Sequence, residues 1–189
     1  MDLEEIKDKL KDIMEKNRYE HACRVSSVAE QIAEYYNLPI KSVKISGLIH
    51  DCAKDYSDSH MKSLIKKYNI RLNEVERHIP KIWHAYVGAE MAKEVFQIED
   101  QEIVDAVKYH STASVKLGLI GKIVYIADKI EPDRNLTKIK KLWPLVYKDI
   151  DLAMLELLDQ ELEYLISKRL VVHPDTIGAR NKIIIEKGY

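Results

Sequence analysis

Only six glycines and five prolines interrupt the 189 residues. Between those breaks apolar residues return every three or four positions, the period of a helix with one buried face. Leu3, Ile6, Leu10 and Ile13 mark a first helix running to about Lys16. Ala22, Val25, Val28, Ala29 and Ile32 mark a second, from Arg18 to Tyr36, closed by Asn37-Leu38-Pro39. Pro39 opens a third helix through Val43, Ile45, Leu48 and Ile49 that is expected to reach Lys54. Further helices are expected over Met61–Tyr68, Ala85–Phe96, Gln101–His110, Gly118–Ile130, Leu152–Leu170 and Asp175–Lys187, with Asn69–Pro80 a loop holding one helical turn. The sequence has no repeat, no low-complexity linker and no credible pair of strands. The expectation is an all-α compact bundle of about eight to ten helices in one domain.

Composition narrows the function. Apolar residues make up 46% and charged residues 32%, enough for a core and too balanced for disorder. Thirty basic residues against 31 acidic leave a net charge of -1, which gives no field for drawing in nucleic acid or an anionic membrane. The longest largely apolar stretch, Leu117–Ala127, is broken by Lys122 and falls short of the ~20 residues of a membrane span. The opening MDLEEIKDKL lacks the basic start and apolar run of a secretory signal, so a cytoplasmic location is expected. Cys23 and Cys52 are too few for a disulfide framework and read as reduced, buried thiols.

Metal-binding residue types recur in order: His21, the adjacent pair His50-Asp51, His84, His110 and Asp128, with gaps of 29, 33, 26 and 18 residues. Zinc-finger ligands come in close pairs. These gaps instead give one ligand from each of several helices converging on a bundle interior. Helical phase agrees: His21 lies four and seven residues before Val25 and Val28, and His110 lies three and seven after Val107 and Ile103. Asp128 follows Val124 by four, so a carboxylate points along a face that should be buried, which implies a cation partner. Four imidazoles and two carboxylates suit iron, manganese or zinc better than magnesium or calcium. His60 and His78 fall in polar surroundings and read as exposed. Trp83 reads as core, and the basic run Lys138, Lys140 and Lys141 as a solvated face.

The spaced His21, the His50-Asp51 dyad and Asp128 resemble the motif of HD-domain metal-dependent phosphohydrolases, and His84 with His110 resembles its two-metal form. More specifically the chain resembles the YqeK family of bacterial symmetrical bis(5'-nucleosyl)-tetraphosphatases. The resemblance is carried by HisAspCysAlaLysAsp at 50–55, TyrHisSerThrAla at 109–113, AlaAspLysIleGluProAspArg at 127–134, and HisProAspThr with AlaArgAsn between 173 and 181. It covers roughly Arg18 to Asn181. Ser111-Thr112-Ala113 stands where the family pattern has Thr-Thr-Gly, and Ala85 where it has glycine.

The resemblance implies one HD domain over residues 1–189, with a metal-ligand core at about 18–134 and C-terminal helices at about 149–187 packing on it. It implies two transition-metal ions, iron foremost, with manganese, cobalt or zinc as alternatives. His21, His50, Asp51 and Asp128 would hold one, and His84 and His110 the other with Asp51 bridging. Asp51, Lys54 and Arg134 would carry the chemistry. Arg24, Lys54, Thr112, Arg134, His173 and Arg180 would contact substrate, Arg24 alternatively orienting a ligand carboxylate. The substrate implied is diadenosine tetraphosphate or a relative, with ADP or GDP as product-like ligand; a homodimer is admitted, nucleic acid and membrane are not. Rival readings are a phosphohydrolase acting on nucleoside monophosphates or cyclic dinucleotides, and a nucleotide-binding regulator with little turnover.

Overall fold

The computed structural model describes all residues but Asn135 and Tyr189, and the side chains of 136–141 lie outside the description, the expected basic face at Lys138, Lys140 and Lys141 among them. Eleven α-helices and no strand occur among the described residues, slightly more than the eight to ten expected. They are α1 (Leu3–Ile13), α2 (Lys16–Tyr35), α3 (Ile40–Ile49), α4 (Asp58–Lys67), α5 (Glu74–His78), α6 (Trp83–Glu94), α7 (Gln101–Tyr109), α8 (Leu119–Ile130), α9 (Leu136–Lys148), α10 (Ile150–Ser167) and α11 (Pro174–Lys187), with a single 3-10 turn at Pro80–Ile82. No helix among the described residues is long and apolar enough to cross a membrane.

Local chemistry sets these bounds. Asp2 accepts from the Glu4 and Glu5 amides while Glu5 reaches back to the Asp2 amide, a reciprocal cap that starts α1; Asn73 and Glu76 repeat it at α5. Asp149 caps α10, and His173, ahead of Pro174, accepts from the Asp175 amide to start α11. Two expectations fail. Helix α3 ends at Ile49, not near Lys54, because the chain tightens into i to i+3 turns, Cys52 N to Ile49 O at 3.1 Å and Lys54 N to Asp51 O at 3.0 Å. Helix α9 contains Pro144 yet forms, and no helix was expected there.

Apolar side chains divide into two cores. One gathers around α2, α8 and α10 through Val25, Ile32, Ile123, Ile126 and Leu158. The other gathers around α1, α3, α6 and α7 through Leu10, Leu48, Val87 and Val107. Burying each such side chain contributes about 1.5–3 kcal/mol. Helices α2, α3 and α7 supply residues to both cores: Ala22 and Val25, Ile45 and Val43, Val107 and Ala106 each lie in different ones. His21 lies on α2, and His50 and His110 directly follow the last residues of α3 and α7, so those histidines stand on the seam. Gly47 fixes the width of that seam on α3, since a Cβ there would fall 2.8 Å from the Cα of Ser26 on α2.

Candidate metal centre

Asp51 is fully buried and stands at the centre of four imidazoles. Its two oxygens face different pairs. Oδ1 lies 3.1 Å from His84 Nε2 and 3.2 Å from His110 Nε2. Oδ2 lies 3.5 Å from His50 Nε2 and 4.0 Å from His21 Nε2. Asp128 joins the second pair, its Oδ1 3.1 Å from His21 Nε2 and 3.9 Å from His50 Nε2. The structure therefore brings all six sequence-selected ligand candidates together, as two groups that share Asp51.

The other ring nitrogens show what this geometry is for. His50, His84 and His110 each direct Nδ1 at the carbonyl three residues earlier, Gly47, Lys81 and Val107, at 2.7–2.8 Å. A carbonyl only accepts, so Nδ1 carries the proton and a neutral ring presents a bare Nε2 to the centre. Burial pushes His110 down to about 4, despite the pull of Asp51, so it is neutral at physiological pH. Its Nε2 then faces that of His84 at 3.1 Å and Asp51 Oδ1 at 3.2 Å. Ser111 Oγ, 3.1 Å from one ring and 3.3 Å from the other, has one proton to offer. Three electron-pair donors converging with so few protons repel one another unless a cation lies among them. The other half repeats the problem: buried His21 Nε2 and His50 Nε2 have no hydrogen-bond partner, although carboxylate oxygens are close. The donor set fits two metal ions.

Charge at the centre is correspondingly displaced. Burial opposes ionisation of Asp51, yet the imidazoles around it, His50 foremost, hold its carboxyl far below the usual range. Asp128 is also held well below it, against burial, by His21, Lys129 and the neighbouring imidazoles. Burial pulls His50 down, but Asp51 and Asp128 win and raise it.

The remaining selected residues are distributed unevenly. Lys54 Nζ reaches Asp51 at 3.0 and 3.2 Å, from the turns after α3 rather than from the same helix. Arg134 grips Asp128, Nη2 to Oδ1 at 2.8 Å. Arg24 binds Glu131 and Asp133, each at 2.8 Å. Thr112 is buried, its Oγ1 donating to Ala113 O while its own carbonyl accepts from Thr176. His173 is buried as the α11 cap, with Nε2 3.4 Å from Glu76 and from Tyr86. Arg180 pairs with Asp159 between α10 and α11 and has no contact with the cluster. Trp83 is core, donating to Glu76 O; His60 and His78 are exposed; Cys52 is buried and Cys23 half-buried.

Three participants escaped the sequence reading. Glu131, 2% exposed, accepts from His21 Nδ1 at 3.3 Å and from Arg24. It does for His21 what a carbonyl does for the other three rings. Arg18 reaches Asp51 at 3.5 Å and Asp55 at 3.3 Å, and Ser111 touches two ligands. Glu131 stands in the quoted 127–134 segment, three residues after Asp128, and that spacing was the available signal. Ala113 occupies the left-handed region, φ 57°, where the family pattern has glycine.

A model of the HD domain matches residues 18–133, and those bounds enclose all six ligand candidates. This chain belongs to the HD-domain family. Among curated relatives, the symmetrical bis(5'-nucleosyl)-tetraphosphatase of Bacillus subtilis (strain 168) is 29% identical, covering 97% of this chain and 98% of that protein. The protein of the same name from Staphylococcus aureus (strain NCTC 8325 / PS 47) is 28% identical, covering 96% and 94%. The crystal structure of a Clostridium acetobutylicum protein described as a predicted HD superfamily hydrolase involved in NAD metabolism superposes with a TM-score of 0.93 at 30% identity and covers 98% of both chains. The chain is an HD-domain hydrolase, all-α like that neighbour.

Proposed function

We propose that this chain hydrolyses diadenosine tetraphosphate, or a related dinucleoside polyphosphate, at the middle of its phosphate chain to give two nucleoside diphosphates. The observation that carries the reading is the division of Asp51 between two histidine pairs, a bridging carboxylate in a site built for two cations. The names of the full-length relatives supply the substrate. His21, His50, Asp51 and Asp128 would hold one ion and Asp51, His84 and His110 the other, iron being the assignment and manganese, cobalt or zinc the alternatives. When bound, such a pair polarises a phosphoryl oxygen and makes water nucleophilic near neutral pH.

The chain's own side chains do the rest. The three carbonyl-bound imidazoles keep Nδ1 protonated and serve as neutral donors, so none is a free base. Lys54 and Arg134 neutralise Asp51 and Asp128, and once cations take over that task both are available for phosphate oxygens. A departing nucleoside diphosphate needs little protonation when its charge is shared, which suits a site with no free acid. Ser111, the serine at the centre, touches only ring nitrogens that would be taken up as metal ligands, so it has no free base and direct attack by water is expected. We place the activity in the cytoplasm and in one HD domain formed by residues 1–189.

Product analysis in heavy-oxygen water tests this. Diadenosine tetraphosphate should yield ADP alone, with one label per turnover, on the β-phosphate of one of the two ADP molecules. AMP and ATP as first products, or no hydrolysis with any transition metal, would overturn the assignment. Faster turnover of nucleoside monophosphates or cyclic dinucleotides in the same assay would replace it with its nearest rival.

A further inference from the structure

Each half of the cluster opens on its own cleft. A cleft of about 630 Å³ has His84 and Ser111 in its wall, with Lys54, Lys81 and Tyr56 alongside. A second, of about 420 Å³, has Asp128 in its wall, with Lys129, Arg134 and Tyr164 alongside. Sites for small molecules run to about 300–1,000 Å³, so each cleft has room for a nucleotide. The two are built from unrelated segments, α4 and the turns around it against α8 and α10, yet repeat one chemical composition: a ligand candidate of the cluster, two basic side chains, one further carboxylate (Asp58 in the first, Glu161 in the second), one tyrosine and apolar residues, Met61 in the first and Leu142 with Leu157 in the second.

The tyrosines are the parts for which the centre has no use. Tyr56 is half-buried, packed against the core of α1, α3, α6 and α7, and its ring lies parallel to that of exposed His60, centroids 4.5 Å apart and 5° between planes. Tyr164 is 58% exposed on α10 with no hydrogen-bond partner for its hydroxyl among the described residues. A large exposed ring beside basic residues and a metal-ligand carboxylate is a platform for a base whose phosphates point to the cations.

We propose that the two clefts are two nucleoside diphosphate sites, Tyr56 carrying the base of one and Tyr164 the base of the other, so that the cluster lies between the halves of the substrate. The inference rests on the dinucleoside polyphosphate reading and says where each half goes. It also accounts for selectivity: a substrate with two bases engages both tyrosines, whereas a mononucleotide engages one. Stacking on a ring tolerates any purine, so ADP and GDP should bind alike.

Calorimetric titration of ADP, which has no central anhydride to cut, into the manganese-loaded full-length chain tests this. The wild type should take up two ADP per chain. Tyr56→Ala and Tyr164→Ala should each weaken one site by about 5- to 100-fold and leave the other unchanged. Tyr56→Phe and Tyr164→Phe should restore it, and the alanine variants should raise KM for diadenosine tetraphosphate with bound metal unaltered. Should Tyr56→Ala fail to fold, Lys81→Glu, an exposed change in the same cleft, should weaken the same site. One ADP per wild-type chain, or two sites of undiminished affinity in the alanine variants, overturns the two-cleft assignment while ADP-yielding hydrolysis still stands. Neither ADP binding nor hydrolysis removes the parent reading and this inference together.

Discussion

The two halves of the candidate metal centre differ in how one histidine is held, His50 leaning on the Gly47 carbonyl as the rings of the other half lean on theirs. His84 and His110 both lean on backbone carbonyls three residues back, while His21 leans on the carboxylate of Glu131, which Arg24 fixes in turn. The His21 half also has Asp128, a carboxylate the other half lacks. More ligands and an anionic orienting group would make the first half the stronger cation holder. The second half, with three donor candidates and Ser111 in the wall of the larger cleft, would leave coordination room for substrate.

Asp51→Ala should abolish the distinction, since it removes a ligand from both halves. Both metals and at least about 1,000-fold in kcat/KM, about 4 kcal/mol, should be lost. Elemental analysis beside turnover checks this, and near-normal activity would contradict bridging. Lys54→Ala and Arg134→Ala should keep the metals but lower kcat/KM by roughly 10- to 1,000-fold. Loss of metal in either variant would make that residue part of the metal-holding frame.

Glu131→Gln separates the halves directly. It should weaken one metal site about 10- to 100-fold and leave the other unchanged, because no side-chain substitution removes the carbonyls behind His84 and His110. Stepwise metal titration reads the result, and equal weakening of both sites would erase the comparison. The smallest effect concerns the loop after His110. Ala113→Gly should raise stability by about 0.5 kcal/mol by relieving left-handed backbone, and an unchanged or lower Tm would show that the buried methyl matters more.

His21, His110 and Asp128 were legible because each falls in phase with the apolar stripe of its segment, and His50-Asp51 and His84 because they complete the spaced series. Glu131 was passed over because its partners Arg24 and His21 lie 107 and 110 residues away and its spacing from Asp128 was the one local mark. Lys54 was placed correctly beside Asp51 but on the wrong kind of backbone: apolar spacing does not register the change from helix to tight turns. Helix α9 was hidden by Pro144, which lies inside it, and by a basic run that read as a solvated face. His173, Thr112 and Arg180 came from resemblance alone. The structure gives them capping, carbonyl and ion-pair partners, and those depend on the packing of α11, which no short motif encodes.

Gly47 bears on how decay would be recognised in chains of this kind. It touches no substrate, and only its carbonyl, which every residue has, meets a ligand. Yet its missing side chain lets α2 and α3 approach until His21 and His50 can serve the same ion. One added methyl would push those helices apart while every ligand stayed in place in the alignment. A gene could thus pass a motif search with its six ligands intact and encode an inert protein, so the glycine belongs in any signature meant to separate working members from relics.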